Sequence, residues 1–255
     1  MRGIWIDRKG EKYITNQGYV IEIIEYITNK NCTIKFNDEK VTILYNIRFD
    51  HIKEGSVSNP YHLSVLGIGY LGVGEYSVKD NGVISLCYRV WSDMLRRCYS
   101  EKHQINNLTY IGCIVSDEWK CFQTFALWYY KNYSLDIMHR WELDKDILVK
   151  GNKVYSPETC CFVPAEINGV FTKTNSRRGD YPIGVSLHRE GRFQAKLLKN
   201  KKQVYLGLFD TPEEAFEVYK TEKEKYIKEV ADKWKNQIDP RVYEAMYNYK
   251  VEITD

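Results

Sequence analysis

Thirty residues near the C-terminal third carry the densest positive charge in this 255-residue chain. Between Lys173 and Lys202 stand nine Lys/Arg (Lys173, Arg177, Arg178, Arg189, Arg192, Lys196, Lys199, Lys201 and Lys202) against only Asp180 and Glu190, a net +7 where the whole chain is +3. Arg and Lys neutralise phosphates, and Arg, Lys and Gln can hydrogen-bond base edges in a major groove. The local pattern gives those side chains a common face. Val185/Leu187 and Phe193/Ala195/Leu197 alternate around a Glu190-Gly191 turn, the signature of a hairpin. If the apolar set faces a core, strand alternation sends Arg192, Gln194 and Lys196 outward beside Ser186 and His188. Arg192, Gln194 and Lys196 are therefore candidate base readers, Lys199, Lys201 and Lys202 candidate phosphate contacts, and Arg189 a further candidate DNA contact. Charge alone leaves open a second reading, an edge sheet merely solvated by lysines.

A third strand is expected over Val204–Leu208, after a polar link from Lys199 to Gln203. The helix that follows has Thr211 as N-cap, Pro212 at its first position and Glu214 three residues on, a capping box. Phe216, Tyr219, Ile227, Val230 and Trp234 mark its buried stripe. Ile183-Gly-Val185, Gly191-Arg-Phe-Gln-Ala195, Tyr205-Leu-Gly-Leu-Phe209 and Thr211-Pro-Glu-Glu-Ala215 occur in order here. Together they resemble the Apetala-two/ethylene-response-factor DNA-binding domain. The resemblance covers less than a quarter of the chain. It implies a three-stranded sheet packed on one helix, docking in the major groove of double-stranded DNA. It also implies that Tyr205, the aromatic before Leu-Gly, touches DNA.

Upstream, the middle block predicts two helices, with Val90, Trp91, Met94, Leu95 and Cys98 on one stripe and Trp119, Phe122, Phe125, Ala126 and Tyr129 on another. Both stripes read as core. Trp91…Met94-Leu-Arg-Arg-Cys98-Tyr, Asp117-Glu-Trp119…Phe122…Phe125 and Leu143-Asp…Asn152…Tyr155-Ser-Pro…Cys160 resemble phage-type HNH homing endonucleases, many of which carry an appended Apetala-two domain. That resemblance implies a ββα-metal unit holding one divalent ion between a strand carboxylate and a helix Asn, with a histidine as general base. Carried over residue by residue, Asp144 or Asp146 is the carboxylate and Asn168 the helix ligand, an oxygen set suited to Mg2+ or Mn2+. The sequence departs from the family at the base. Lys145 or Asp146 stands beside the carboxylate, which leaves His139 and Glu158 as substitutes. Two functions stay open: a metal-dependent DNA endonuclease, or a catalytically inactive DNA-binding relative acting as a phage regulator or inhibitor of a host factor. Asp144 and Asp146 also admit a plain structural role, solvated on an exposed strand face or paired with Lys145 or Lys150.

The rest of the chain sets the frame. Hydrophobic content of 44% and charged content of 28% are those of globular domains. No run of about 18 apolar residues suggests a membrane span, and the early charges of Arg2, Asp7 and Arg8 argue against a signal peptide. Seven cysteines without a Cys-x-x-Cys predict reduced thiols in a cytoplasmic protein, and Cys160-Cys161 is a weak metal signal. Residues 1–80 read as a small β-barrel-like module, of SH3 type or another, from the runs Tyr19–Tyr26, Cys32–Phe36 and Val41–Tyr45; this module could engage a protein partner. The glycine-rich Val65–Gly74 lacks the context of a nucleotide loop and reads as a tight turn or strand crossing. The expected architecture is a multidomain α+β fold: residues 1–80, an HNH-like ββα-metal domain at 84–170, an Apetala-two-like domain at 177–235, and a helical tail at 236–255.

Overall fold

The computed structural model describes residues 6–134, 140–171 and 181–253. The chain is an α+β fold of several small sheets, and it divides into two compact units: residues 1–100 with 120–126, and residues 101–119 with 127–255. No helix among the described residues is long and apolar enough to cross a membrane.

The first unit starts with an antiparallel meander of β1 (Lys12–Ile14), β2 (Val20–Thr28), β3 (Asn31–Phe36) and β4 (Ile43–Ile47), in that order. Alternation along β2 buries Ile21 and Ile23 and turns Glu22 away, the register sets Ile21 opposite Phe36 and Ile23 opposite Ile34, and a bulge after Ile23 puts Glu25 opposite Thr33 on the outer side. Ile52 of the short helix α1 (Phe49–Lys53) and Val57 complete that core. The expected barrel is an open sheet here, with β1 and β4 as its edges. A small hairpin, β5 (Lys79–Asp80) and β6 (Val83–Ile84), leads into α2 (Leu86–Tyr99). Ser85 caps α2 by accepting from Tyr88 N at 3.2 Å, and Cys87, Trp91, Met94, Leu95 and Cys98 form its buried stripe. In the glycine-rich segment Gly69 makes room for this helix: a Cβ there would lie 2.5 Å from Leu95 Cδ1 and 2.9 Å from the Trp91 ring. Gly72 and Gly74 make room for Cys121 and Gln123, while Gly67 serves a turn at φ +68°.

The second unit contains α3 (Glu101–Asn106), β7 (Ile114–Val115), the later turns of α4 (Phe122–Asn132), then β8 (Trp141–Asp144), β9 (Val154–Tyr155), β10 (Cys161–Pro164) and α5 (Ala165–Phe171). Trp119 lies in a 3-10 turn, Asp117–Lys120, so the expected second helix starts only at Phe122. The aromatic stripe is core, as its period requires: Trp128 lies 4.7 Å from Trp119 and 5.2 Å from Phe162 between ring centroids. β8 and β10 pair antiparallel, and β7 and β9 pair parallel. Then follow β11 (Val185–Leu187), β12 (Phe193–Lys199), β13 (Lys202–Phe209), the long helix α6 (Pro212–Trp234) and α7 (Pro240–Tyr247). The capping box is made in full. Thr211 Oγ1 accepts from Glu214 N, and Glu214 Oε2 accepts from Thr211 N, each at 3.2 Å.

Candidate nucleic-acid interface

β11, β12 and β13 form an antiparallel sheet in sequential order, and α6 packs on one of its faces. Val185, Ala195 and Leu197 are buried on that inner face, against a helix whose Ala215, Phe216, Tyr219, Ile227 and Val230 are buried too. The approach is closest at Gly184. It has φ +79°, and a Cβ there would sit 2.0 Å from the Tyr219 ring, so only glycine lets the strand enter.

The outer face follows from the register. Directly opposed residues share a face, so Ser186, Gln194 and Leu208 form one row across all three strands, and Lys196 with Tyr205 forms the next. A bulge decides the place of Tyr205. Ala195 pairs with Gly207 but Lys196 pairs with Tyr205, leaving Leu206 as an extra residue on β13. In a regular strand Tyr205 and Gly207, two apart, would point the same way. The extra residue sends Tyr205 to the outer row, where it is 59% exposed. Gly207 sustains the bulge at φ +141°, a backbone that disfavours any side chain.

The cations of this sheet divide into two sets. Arg192 is held by Asp210, with Nε donating to Oδ1 at 2.8 Å, and by the Leu208 carbonyl at 3.2 Å. Lys199 turns to the helix side, donating to Glu229 Oε2 at 2.5 Å with its ammonium 5.3 Å from the Tyr226 ring centroid. Lys199 is thus no part of a polar link, contrary to the expectation from sequence. It ends β12 and pairs with Lys202, and the connection shrinks to Asn200-Lys201 with φ of 51° and 61°. Both central residues at positive φ make a type I′-like turn. Tyr226 fastens it, its hydroxyl accepting from Asn200 N at 3.1 Å. Among the described residues, the side chains of Arg189, Lys196, Lys201 and Lys202 make no ion pair or hydrogen bond, and those of Gln194 and Tyr205 are equally unengaged. Arg189 lies in the turn at one end of the sheet and Lys201 and Lys202 at the other. Lys173, Arg177 and Arg178 fall outside the described residues.

The middle block does contain a β-hairpin followed by a helix: β8, β10 and α5. Its polar groups are arranged differently from the HNH-like expectation. Asp144 Oδ1 accepts from the backbone N–H of Asp146 at 2.7 Å and of Ile147 at 2.8 Å, so the carboxylate caps the turn that leaves β8. Burial pushes this carboxyl above the usual carboxylate range, and the two amide bonds oppose that rise. Lys145 is buried, 6% exposed, and its ammonium donates to Asp146 Oδ1 and, at 2.8 Å, to the Asn152 carbonyl. The Asn152 amide in turn donates to the carbonyls of Lys145 at 2.8 Å and Val154 at 2.7 Å and accepts from Val154 N at 3.1 Å. Asn168 meets a different carboxylate, donating to Glu142 Oε2 at 2.5 Å, while Arg140 Nε donates to Glu142 Oε1 at 3.2 Å. Glu158 is exposed in the turn before β10, and the Ser156 hydroxyl holds its carboxyl below the usual range. His139 lies outside the described residues.

Comparison with family models, with curated proteins and with solved structures finds no match. Function is read from the residues themselves. Among the described residues no three His, Cys, Asp or Glu side chains gather as a metal site. The groups at Asp144 also fit a divalent ion poorly: one oxygen is bound by two amides, and a buried ammonium stands next in sequence. Two residues that organise this unit, Glu142 and Asn152, were not among the expected site residues. Glu142 had a signal, since it lies two before Asp144 and shares its strand face. All seven cysteines are free, and burial pushes Cys87 and Cys160 up to about 12, where a thiol is inert.

Proposed function

We propose that this protein binds duplex DNA through the outer face of the β11–β12–β13 sheet, as a non-hydrolytic relative of the HNH and Apetala-two proteins it resembles. One observation carries the reading: four cations whose side chains have no partner among the described residues, Lys196 on the outer face with unengaged Gln194 and Tyr205, and Arg189, Lys201 and Lys202 at its two ends. Strand β12 spans about 20 Å from Phe193 to Lys199 at ~3.3 Å per residue, and B-DNA's major groove is ~12 Å wide. Arg189 and the Lys201/Lys202 pair are therefore spaced to reach phosphates on both sides of a groove while the row between them faces base edges. In this reading the ββα unit is a scaffold, because Lys145, whose ammonium is taken up by Asp146 and the Asn152 carbonyl, stands where the resemblance puts the general base. The setting it suits is the bacterial cytoplasm, as a phage regulator that occupies DNA.

Titrating the full chain against duplex DNA at ~50 mM salt, then incubating it with supercoiled plasmid and Mg2+, Mn2+, Ca2+ or Zn2+, tests both halves. Salt-sensitive binding without nicking is expected. Nicking that needs a divalent ion and disappears in Asn168→Ala would return the protein to the endonucleases. Absence of any duplex binding would remove the sheet's proposed role.

A further inference from the structure

The side chains on the sheet's outer face differ in what they offer a base pair, and their engagement decides which can use it. Arg192 would be the natural guanine reader, since guanine shows two acceptors, N7 and O6, to the major groove. Its guanidinium is already committed to Asp210 at 2.8 Å and to the Leu208 carbonyl at 3.2 Å. Gln194, by contrast, is unengaged among the described residues, with Ser186 and Leu208 on either side in the same row.

We infer that the sheet selects an adenine·thymine pair opposite Gln194, with the thymine methyl against Leu208. This rests on the DNA-binding reading above. A glutamine amide carries one carbonyl acceptor and an NH2 donor side by side. Adenine answers with its N6 donor and N7 acceptor, so both bonds form together. Guanine would set its O6 acceptor against the amide carbonyl, leaving one bond and a repulsion. The apolar side chain of Leu208, opposite Gln194 in the register, suits the thymine C5-methyl and offers nothing to the cytosine N4 donor of a G·C pair. Lys196, in the next row with Tyr205, is free to accept guanine at a neighbouring position, so the selection concerns the Gln194 position alone.

The test is selection of duplexes from a random pool by the full chain, followed by titrations on the enriched site. An enriched motif with one fixed A·T pair is expected. Replacing that pair by G·C should weaken wild type by ~5-fold or more, the low end of one good base contact, and weaken Gln194→Ala by less than about threefold. A second variant works in the opposite sense. Asp210 is 79% exposed at the side chain, so Asp210→Ala leaves the core alone while releasing Arg192. It should add guanine preference beside the A·T pair. A selected motif made only of G·C pairs, or full A·T discrimination surviving in Gln194→Ala, overturns the inference while leaving DNA binding intact. A pool from which nothing is enriched because no duplex is bound overturns the binding reading, and this inference with it.

Discussion

The division of the sheet's cations into held and free sets fixes how salt should act on DNA binding. Each neutralised phosphate releases counterions and contributes about −0.9 to the slope of log K against log salt on duplex DNA. The free set is Arg189, Lys196, Lys201 and Lys202, while Arg192 and Lys199 are paired with Asp210 and Glu229. If Arg189, Lys201 and Lys202 meet phosphate while Lys196 faces the bases, the slope is about −2.7, and raising salt from ~50 to ~200 mM weakens binding about 40-fold. If the paired cations also reached phosphate, the slope would be about −4.5 and the loss about 500-fold. Cations in the segment outside the described residues can only steepen wild type, so the decisive quantity is the change on substitution. Arg189→Ala, Lys201→Ala and Lys202→Ala should each make the slope shallower by about 0.9, and Arg192→Ala and Lys199→Ala should leave it nearly unchanged. Fluorescence anisotropy on one labelled duplex at five salt concentrations measures all six proteins. A slope shared by every variant would refute the reasoning, because the ion pairs would then not be what removes Arg192 and Lys199 from the phosphate contacts.

Three further outcomes follow from packing and burial. Gly184→Ala forces a Cβ into the Tyr219 ring at a φ of +79°, so about 2–5 kcal/mol of stability should be lost in urea unfolding, with Gly191→Ala, which meets nothing within 4 Å, losing less. Burial lowers the Lys223 ammonium to about 8 although its Nζ donates to the Val170 carbonyl at 2.6 Å. Between pH ~8 and ~10.5 the unfolded chain holds a proton that the native chain has released, so this group makes stability rise with pH there, by about 1–3 kcal/mol. That rise should be missing from Lys223→Met, and equal pH profiles for the two proteins in chemical denaturation would contradict it. Finally, six cysteines are buried and Cys121 is partly exposed, so mass spectrometry after brief alkylation at pH 7.5 should find Cys121 labelled first and all seven only after unfolding.

The C-terminal module was the most legible part of the sequence because its signals are local. A capping box, a glycine turn and period-two alternation each act within a few residues, and β11, β12 and α6 stand where they pointed. The Asn200-Lys201 turn was not legible: a lysine-rich stretch reads as loop by composition, while its conformation comes from an asparagine that tolerates positive φ and from a tyrosine hydroxyl on α6. The two ion pairs were also hidden, since Arg192 and Asp210 lie 18 residues apart and Lys199 and Glu229 lie 30 apart, and neither spacing is a sequence signal. In the middle block, the resemblance put Asp144 on a strand, and it stands at the end of β8. Which carboxylate meets Asn168 depends on how α5 crosses the hairpin, a tertiary matter, and the helix stands over Glu142.

The buried lysine of the β8–β9 loop has a consequence for how this chain can change over generations. Lys145 and Asn152 are each other's support, with two hydrogen bonds running between them in opposite directions. Substituting either side chain takes the donor from the other's main-chain carbonyl, at a cost of roughly 1–3 kcal/mol per group. A histidine at position 145 would give up the ammonium that meets both the Asn152 carbonyl and Asp146, so the change is not a neutral one.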